Sequence, residues 1–268
     1  STGRDNTMDT VWLVLAAVIG AAIGSFLNVV IVRLPQEGAS IAFPPSHCPQ
    51  CKHTLAWYEN IPVMSYLFLG GRCRSCRRSI PIQYPLVEIA MATLAALLLN
   101  RYGLSVELGY YSIFCSSLLV IIFIDIHHQI IPDRITLPGI LIGFFGSFFV
   151  HTITWQQAGL GILCGAGSLY LVAAYHASLT GREGMGGGDV KLLAMIGAFL
   201  GWQCLLYVIF ASSVFGCIVG VIVMRRQNKG GQTRIPFGPF LALAACSYLF
   251  LEDHIHRLWQ LYITTAGL

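Results

Sequence analysis

Charged side chains are scarce in this sequence. Asp, Glu, Lys and Arg make up only 10% of its 268 residues, whereas soluble domains usually contain about 25%. Hydrophobic residues make up 56%, and several apolar runs approach the ~20 residues that cross a bilayer. The composition therefore excludes an ordinary soluble domain, and the net charge of +4 is too small to indicate a nucleic-acid partner.

Several catalytic signatures are also absent. The sequence has no Gly-x-Ser-x-Gly and no His-Glu-x-x-His, so neither a serine hydrolase nor a helix-borne zinc protease is indicated. The glycine run that ends at Gly188 is no dinucleotide-binding loop, because no soluble strand–turn–helix unit surrounds it. His127 and His128 are adjacent, so they face different directions on a helix, and we interpret them as loop or interface residues.

Eight apolar segments are predicted to span the membrane, which gives an all-α polytopic membrane protein of about eight transmembrane helices. They are Val11–Val32, Leu86–Asn100, Leu108–Ile124, Ile135–Val150, Ala158–Ala177, Val190–Leu200, Leu205–Met224 and Phe237–Leu251. The first is not a signal peptide, because acids precede it and Arg33 follows it, the reverse of a signal peptide's charge order. Residues 1–7 are polar and precede Met8, so we interpret them as a cloning remnant.

The basic residues indicate which side of the membrane each loop occupies. With eight spans, 13 of the 16 Lys and Arg residues fall on one side. They are Arg33, Lys52, Arg72, Arg74, Arg77, Arg78, Arg134, Arg182, Lys191, Arg225, Arg226, Lys229 and Arg234. The positive-inside rule therefore places both termini outside and the long loop after the first span, residues 34–85, in the cytoplasm.

The apolar stretch Val190–Met224 is too long for one span. Its 35 residues would form a helix of roughly 52 Å, against a hydrocarbon core of ~30 Å. A turn near Gly201 resolves the excess, and it leaves Val190–Leu200 as a short helix of about 16 Å. Asp189, which directly precedes that helix, is therefore expected below the cytoplasmic surface, at membrane depth.

Asp125 and Asp189 are acids embedded in apolar sequence on the same predicted side of the membrane. One alternative makes Asp189 a helix N-cap after a flexible glycine loop. Asp133, by contrast, is explained by pairing with its neighbour Arg134 at the start of the fourth helix. Two carboxylates held close in a low dielectric share a proton, which is what an aspartic protease needs. We therefore expect at least one member of the pair to be neutral near pH 7.

The long loop carries two Cys-x-x-Cys motifs, Cys48 with Cys51 and Cys73 with Cys76, separated by 21 residues. This spacing is typical of a tetrahedral four-cysteine zinc site. Two disulfides are the alternative, but the predicted cytoplasmic location is reducing and disfavours them. The alternative ligands are His47 and His53. The loop is therefore predicted to be a small cytoplasmic zinc-binding domain.

Taken together, these motifs resemble those of the bifunctional type IV prepilin peptidases, which also process the pseudopilins of type II secretion. The resemblance extends from Met8 to about Phe250. The matching segments are GSFLNVVIVRLP (Gly24–Pro35), CPQC, WYENIPVMSYL (Trp57–Leu67), GGRCRSC (Gly70–Cys76), YPLVE (Tyr84–Glu88), DIHHQIIPD and GGGDVKLL.

The resemblance implies that Asp125 and Asp189 are the catalytic pair, with Gly186 and Gly188 in the active-site loop. Members of this family cleave a short basic leader from prepilins after a glycine, on the cytoplasmic side of the bacterial inner membrane. They then methylate the new N-terminal amine with S-adenosylmethionine. The implied domains are a transmembrane helix at residues 8–33, a methyltransferase-associated zinc domain at residues 34–85 and a transmembrane aspartic peptidase at residues 86–268.

Methyl transfer needs an aligned, deprotonated amine, so positioning dominates. Glu59 and Glu88 are candidates to orient the amine or take its proton, and Arg72 is a candidate anchor for the cofactor's carboxylate. The alternatives are that Glu88 caps or pairs within the second helix and that Arg72 only sets topology. About fifty residues are too few for a soluble methyltransferase fold, so the cofactor is expected on the zinc unit, the membrane face or both.

Two functions from other classes stay open at this point. A proton-coupled transporter would use the two aspartates as relays, but it leaves the cysteine motifs unexplained. A non-enzymatic zinc adaptor of a secretion assembly would explain the cysteines, but it needs no intramembrane acids. A relative restricted to proteolysis is disfavoured, because the resemblance implies that such relatives lack the cysteine loop.

Overall fold

The computed structural model is all-helical. Its helices are α1 (Thr2–Arg33), α2 (Met64–Phe68), α3 (Gln83–Tyr102), α4 (Val106–His128), α5 (Asp133–Gly146), α6 (Trp155–Thr180), α7 (Gly187–Leu200), α8 (Cys204–Gln227) and α9 (Gly238–Ala266), with a 3₁₀ turn at Trp57–Asn60. The structure describes residues 2–36, 38, 40, 42–43, 45–48, 50–181, 186–227 and 236–266. Three of the 13 basic residues predicted on the cytoplasmic side lie outside these ranges: Arg182, Lys229 and Arg234.

Five helices are long and apolar enough to cross a membrane among the residues that the structure describes. They are Thr10–Arg33, Gln83–Tyr102, Val106–His128, Trp155–Leu179 and Cys204–Arg225. The other three predicted spans correspond to α5, α7 and α9. Because α5 and α7 have 14 residues each, they are about 21 Å long and fall short of the ~30 Å hydrocarbon core. The prediction of eight spans is therefore confirmed for five helices.

Apolar side chains cover the outward faces of the spanning helices. Leu163 on α6 is 71% exposed and Phe210 on α8 is 70% exposed. Exposed apolar surface on this scale requires lipid rather than water as the solvent. The chain is thus a multi-pass membrane protein.

The chain divides into two compact units, Ser1–Ile124 and Asp125–Leu268, with the boundary inside α4. In the first unit α1 packs against α3 through glycines spaced four residues apart. A side chain at Gly20 would collide with Ala95 and the carbonyl of Met91, and one at Gly24 would lie 2.7 Å from the Cα of Glu88. This small-residue stripe brings the two helix backbones into direct contact, as in other membrane helix pairs.

In the second unit α7 is the central helix. All eight residues from Leu192 to Phe199 are buried, so the helix is enclosed on every side. It crosses α6 where Gly161 meets Gly197 backbone to backbone, and it packs on α5 where Gly139 faces Met195. A short, buried helix of this kind has no lipid-facing surface, which explains how a polar N-terminus is tolerated there.

The ends of α7 test two sequence-based interpretations. The turn at Gly201, with φ of 81°, ends α7 and precedes α8, so the predicted break in the 35-residue apolar stretch is confirmed. The alternative of Asp189 as a helix N-cap is wrong, because Gly186 occupies that position and Asp189 lies in the first turn. Its side chain is therefore not committed to capping α7.

Candidate active site and metal centre

Asp125 lies near the end of α4 and is buried. One of its carboxylate oxygens, Oδ2, accepts a hydrogen bond of 3.1 Å from the backbone amide of Gly238, the first residue of α9. A Cβ atom at Gly238 would lie only 2.6 Å from that oxygen. Glycine is therefore required there if the backbone is to approach the carboxylate this closely.

Asp189 lies in the first turn of α7 and is half-buried. Ile131 packs against the glycines beside both acids: a Cβ at Gly188 would lie 2.9 Å from its Cβ, and one at Gly238 would lie 3.0 Å from its Cδ1. The second unit therefore brings together the two aspartates that the sequence singled out.

Asp133 has a different role. It begins α5 as predicted, but its partner is Lys191 of α7 and not Arg134: Lys191 Nζ lies 2.7 Å from both carboxylate oxygens. This exposed ion pair joins the N-termini of α5 and α7, so Asp133 is a neutralised acid outside the pair of Asp125 and Asp189.

Cys48, Cys51, Cys73 and Cys76 form one cluster in the first unit, with all four Sγ atoms within 4.8 Å of one another. The Cys48–Cys76 and Cys51–Cys73 sulfurs are each 3.9 Å apart. A tetrahedral zinc ion with Zn–S bonds of about 2.3 Å places its ligand sulfurs about 3.8 Å apart. The cysteine geometry therefore fits a zinc ion and does not form disulfides, which have S–S bonds near 2.05 Å.

The two cysteine motifs have the same backbone conformation. In the first, the Cys48 amide donates to the carbonyl of His53, and in the second the Cys73 amide donates to Arg78. The residue after each second cysteine, Lys52 or Arg77, has a left-handed φ of 57° or 59°. These turns direct backbone amides at the sulfurs, and the amide of Cys51 is the main cause that lowers the pKa of Cys48 to about 7.

The four thiols do not all ionise readily by themselves. Although the amide of Arg78 opposes it, burial and the neighbouring sulfurs raise the pKa of Cys76 to about 11. A divalent cation removes that conflict, since it binds thiolates and neutralises their charge. The electrostatics of the cluster thus favour a metal site, in agreement with its geometry.

Glu59 and Glu88 are both buried in the first unit. Glu59 Oε2 accepts hydrogen bonds from the amide of Ala56 at 2.9 Å and from His53 at 3.3 Å. The Ala56 bond is the main reason why the pKa of Glu59 lies below its ordinary value, with smaller contributions from His53 and Arg74. Glu59 is therefore a carboxylate at neutral pH, as an acceptor for a cationic group has to be.

Glu88 neither caps α3 nor pairs within it, so that alternative is wrong. Its Oε2 accepts a 2.7 Å hydrogen bond from the backbone amide of Val63, 25 residues earlier. Val63 is held at φ 61° and ψ −48°, and the Met64 amide donates to the Pro62 carbonyl at 2.6 Å. This is a γ-turn with positive φ, a strained conformation for a β-branched residue.

A cavity of about 300 Å³ in the first unit is lined by Glu59 and Glu88 together with two of the cysteines, Cys48 and Cys73. Arg72 is exposed, forms a backbone bridge with Ser79 and is not among the lining residues. Arg33, Arg74 and Arg78 are the arginines of this cavity. The structure thus brings two of the three methyl-transfer candidates together and leaves Arg72 apart from them.

Comparison with known proteins identifies the chain. Residues 18–102 match the family described as the bacterial peptidase A24 N-terminal domain, and residues 112–221 match the type IV leader peptidase family. The chain is 39% identical to a prepilin leader peptidase/N-methyltransferase of Pseudomonas putida, over 91% of this chain and 92% of the relative. It belongs to the type IV leader peptidase family. The resemblance read from the sequence motifs is confirmed.

Other relatives of the family align over the same length. The prepilin leader peptidase/N-methyltransferase of Pseudomonas aeruginosa is 39% identical, over 93% of both chains. That of Neisseria gonorrhoeae is 36% identical, over 93% of this chain and 94% of the relative. No solved structure matches the chain significantly.

Sequence analysis missed four residues of these sites and of the α1–α3 contact. Gly238 follows a polar stretch and its contact with Asp125 spans 113 positions, so nothing local signals it. Val63 gives no local signal either, because its amide is recruited by an acid on another helix. Gly20 and Gly24 were detectable, since their four-residue spacing in an apolar run is the usual mark of a close helix contact.

Proposed function

We propose that this chain is a bifunctional enzyme of the bacterial inner membrane, a prepilin leader peptidase and N-methyltransferase. Its substrates are type IV prepilins or type II secretion pseudopilins, from which it removes a basic leader and whose new N-terminal amine it then methylates. The observation that carries the proposal is that Gly188, next to Asp189, and Gly238, whose amide holds Asp125, both pack against Ile131 in a chain of this family. We place the cysteine unit and the aspartate pair on the cytoplasmic side.

In the proteolytic step the two carboxylates act as a general base and a general acid. One takes a proton from water as the oxygen attacks the scissile carbonyl, and the other donates a hydrogen bond to the carbonyl oxygen. When the tetrahedral species collapses, the carbon–nitrogen bond breaks and the leaving amine receives the proton. The Gly238 amide holds one oxygen of Asp125, so this carboxylate is positioned before substrate arrives.

The expected depth of the aspartate pair in the membrane suits the position of the cleavage point in a prepilin. A prepilin carries an apolar helix, and its cleavage point is at the border where that helix begins. Asp189 lies in the first turn of a short helix that is enclosed by protein, so an acid is held beneath the surface without lipid contact. Gly188 allows the backbone to approach Ile131 closely, and Gly186 has open space beside it, which leaves room for the substrate backbone.

In the methylation step S-adenosylmethionine supplies an electrophilic methyl group. The new N-terminal amine would accept that methyl group, the donor would leave as a neutral thioether, and the amine would give its proton to a carboxylate of the chain. Glu59 and Glu88 are the residues to which we assign the orientation and deprotonation of the amine. Cys48, Cys51, Cys73 and Cys76 would hold a zinc ion, which would cross-link the walls beside these acids.

The aspartate pair is tested with Asp125→Asn and Asp189→Asn in detergent-purified protein and a purified prepilin. Both variants preserve shape and remove a titratable group, so we expect cleavage to fall at least about 100-fold. Leader loss is followed on a gel. Asp133→Asn is the matched control, because Asp133 is exposed and neutralised by Lys191, and it is expected to cleave at a rate close to that of the unaltered chain.

Normal cleavage by Asp189→Asn would remove the peptidase assignment. In that case a proton-coupled transporter becomes the better explanation of two buried acids, and proton uptake by proteoliposomes would be the next measurement.

A further inference from the structure

The cavity of about 300 Å³ in the first unit contains polar groups that the protein itself leaves without partners. Its walls come from α1, the cysteine motifs, α2 and the start of α3. Its volume is at the lower end of the range of about 300–1,000 Å³ for small-molecule sites. Neither the zinc cluster nor the aspartate pair accounts for those unpartnered groups.

Asn28 on α1 is one of them. Its residue is only 2% exposed, and its Nδ2 donates a 3.0 Å hydrogen bond to the carbonyl of Tyr84. That bond fixes the orientation of the amide, because the flipped form would place two acceptors against each other. The other atom, Oδ1, is buried and has no hydrogen-bond partner among the described residues, and Asn28 is one of the residues that line the cavity. A buried acceptor of this kind costs free energy unless a donor reaches it.

Glu59 is the second. Its Oε2 is saturated by Ala56 and His53, whereas its Oε1 is buried and lacks a hydrogen-bond partner among the described residues. Arg74 Nη1 is 4.0 Å from Oε1, outside hydrogen-bond distance, and donates instead to the Tyr58 hydroxyl at 2.9 Å. Asn28 and Glu59, two residues from distant parts of the chain that each carry an unpartnered acceptor, thus line one cavity.

The charges around the cavity have both signs. Glu59 and Glu88 are buried acids, whereas Arg33, Arg74 and Arg78 contribute cationic groups to the same wall. This arrangement suits a zwitterion that combines cationic N–H donors with a carboxylate. The acceptors select for the donor groups, and the arginines select for the carboxylate.

We propose that this cavity is the binding site for the methyl donor, S-adenosylmethionine, and that Asn28 Oδ1 and Glu59 Oε1 accept hydrogen bonds from its N–H groups. The donor's ammonium, amino and carboxylate groups satisfy both unpartnered oxygens and the arginines. Asn28 is a binding residue outside the cysteine unit, which the family comparison does not indicate. The inference rests on the methyltransferase part of the proposed function.

The test is equilibrium binding of S-adenosylmethionine to the purified, zinc-loaded full chain in detergent, measured by isothermal titration calorimetry. Asn28→Leu removes the acceptor at nearly constant volume, and Glu59→Gln removes the charge. We expect each to weaken binding about 10- to 100-fold, the size of a hydrogen bond to a charged group. Asn100→Leu, the same change at an exposed site on α3 outside the cavity, should bind as the unaltered chain does.

Zinc content and prepilin cleavage are measured on the same samples, and we expect both to be preserved in Glu59→Gln. This variant keeps the proposal testable if Asn28→Leu does not fold. Unchanged affinity in Glu59→Gln or in a folded Asn28→Leu would overturn the proposed site while leaving methylation by the chain intact. Absence of donor binding to the unaltered chain, together with an unmethylated product, would overturn the methyltransferase function itself. Displacement of the donor by glycerophosphoethanolamine at equal concentration would overturn the proposal in favour of a lipid headgroup.

Discussion

At the scale of single residues, the consecutive glycines before Asp189 are not equivalent. A Cβ at Gly188 would lie 2.9 Å from Ile131 Cβ, whereas Gly186 and Gly187 have open space around that position. The glycine run therefore contains at least one position set by packing beside the aspartate pair. Gly238 is a second such position on the other side of Ile131.

This difference gives a matched pair of variants. Gly188→Ala should displace Ile131 or the first turn of α7, and because a misplacement of about 1 Å can cost 100-fold in rate, we expect cleavage to fall roughly 10- to 100-fold. Gly187→Ala adds the same methyl group into open space and should cleave nearly normally. Initial rates of leader removal measure both, with thermal unfolding as the control for folding.

Equal rates for Gly187→Ala and Gly188→Ala would show that the contact with Ile131 does not position the catalytic pair. Gly238→Ala should resemble Gly188→Ala, because its methyl group would lie 2.6 Å from Asp125 Oδ2.

At the scale of elements, the strained turn at Val63 fixes the position of Glu88. The Val63 amide donates a 2.7 Å hydrogen bond to the Glu88 carboxylate, and the backbone adopts a positive φ of 61° to make it. Backbone strain of this kind costs about 1–3 kcal/mol and is retained where the surrounding structure requires it. The turn therefore acts on the cavity through Glu88, which is one of its lining residues.

Substitutions at Val63 separate the strain from the hydrogen bond. Val63→Gly keeps the amide and adopts positive φ freely, which relieves the strain, but glycine also adds an entropy cost on folding. We therefore expect the variant to be more stable than the unaltered chain by about 0–2 kcal/mol. Val63→Pro removes the amide and cannot adopt positive φ, so the first unit should be destabilised. Thermal unfolding in detergent measures both effects, with the protease resistance of residues 34–85 as its readout.

If Val63→Gly decreases the unfolding temperature as much as Val63→Pro does, the valine side chain rather than the turn stabilises this region. Retained donor binding in Val63→Pro would likewise show that Glu88 needs no backbone anchor.

The elements also show how far sequence reasoning reaches. Apolar runs predicted every long helix, because a bilayer requires continuous hydrophobic length, and the excess length of Val190–Met224 correctly predicted the turn at Gly201. The cysteine spacing predicted the four-cysteine cluster, because a tetrahedral metal site restricts the spacing of its ligands. The contacts of Asp133 with Lys191 and of Asp125 with Gly238 join residues 58 and 113 positions apart, and no local pattern encodes them.

At the scale of the whole molecule, the chemistry is divided between the two units. The cysteine cluster, Glu59, Glu88 and the cavity belong to the first unit, whereas Asp125 and Asp189 both belong to the second. Each unit also has its own glycine-mediated helix contacts. In the first unit Gly24 of α1 packs against α3, and in the second Gly161 of α6 packs against Gly197 of α7. We therefore expect the aspartate pair to depend less than the cavity does on a metal bound by the cysteines.

Metal removal should consequently separate the two activities. Cys48 and Cys73 line the cavity, so loss of zinc by chelation or in Cys48→Ser is expected to abolish methylation while cleavage falls less than about threefold. Mass spectrometry of the processed prepilin N-terminus reports both reactions in one spectrum, as leader loss and as an added methyl group. Cys164→Ser, at an exposed free cysteine on α6, is the control and should retain zinc and both products. Equal loss of cleavage and methylation in Cys48→Ser would contradict the division, because it would make the cysteine unit a structural requirement of the whole chain and not the support of one cavity.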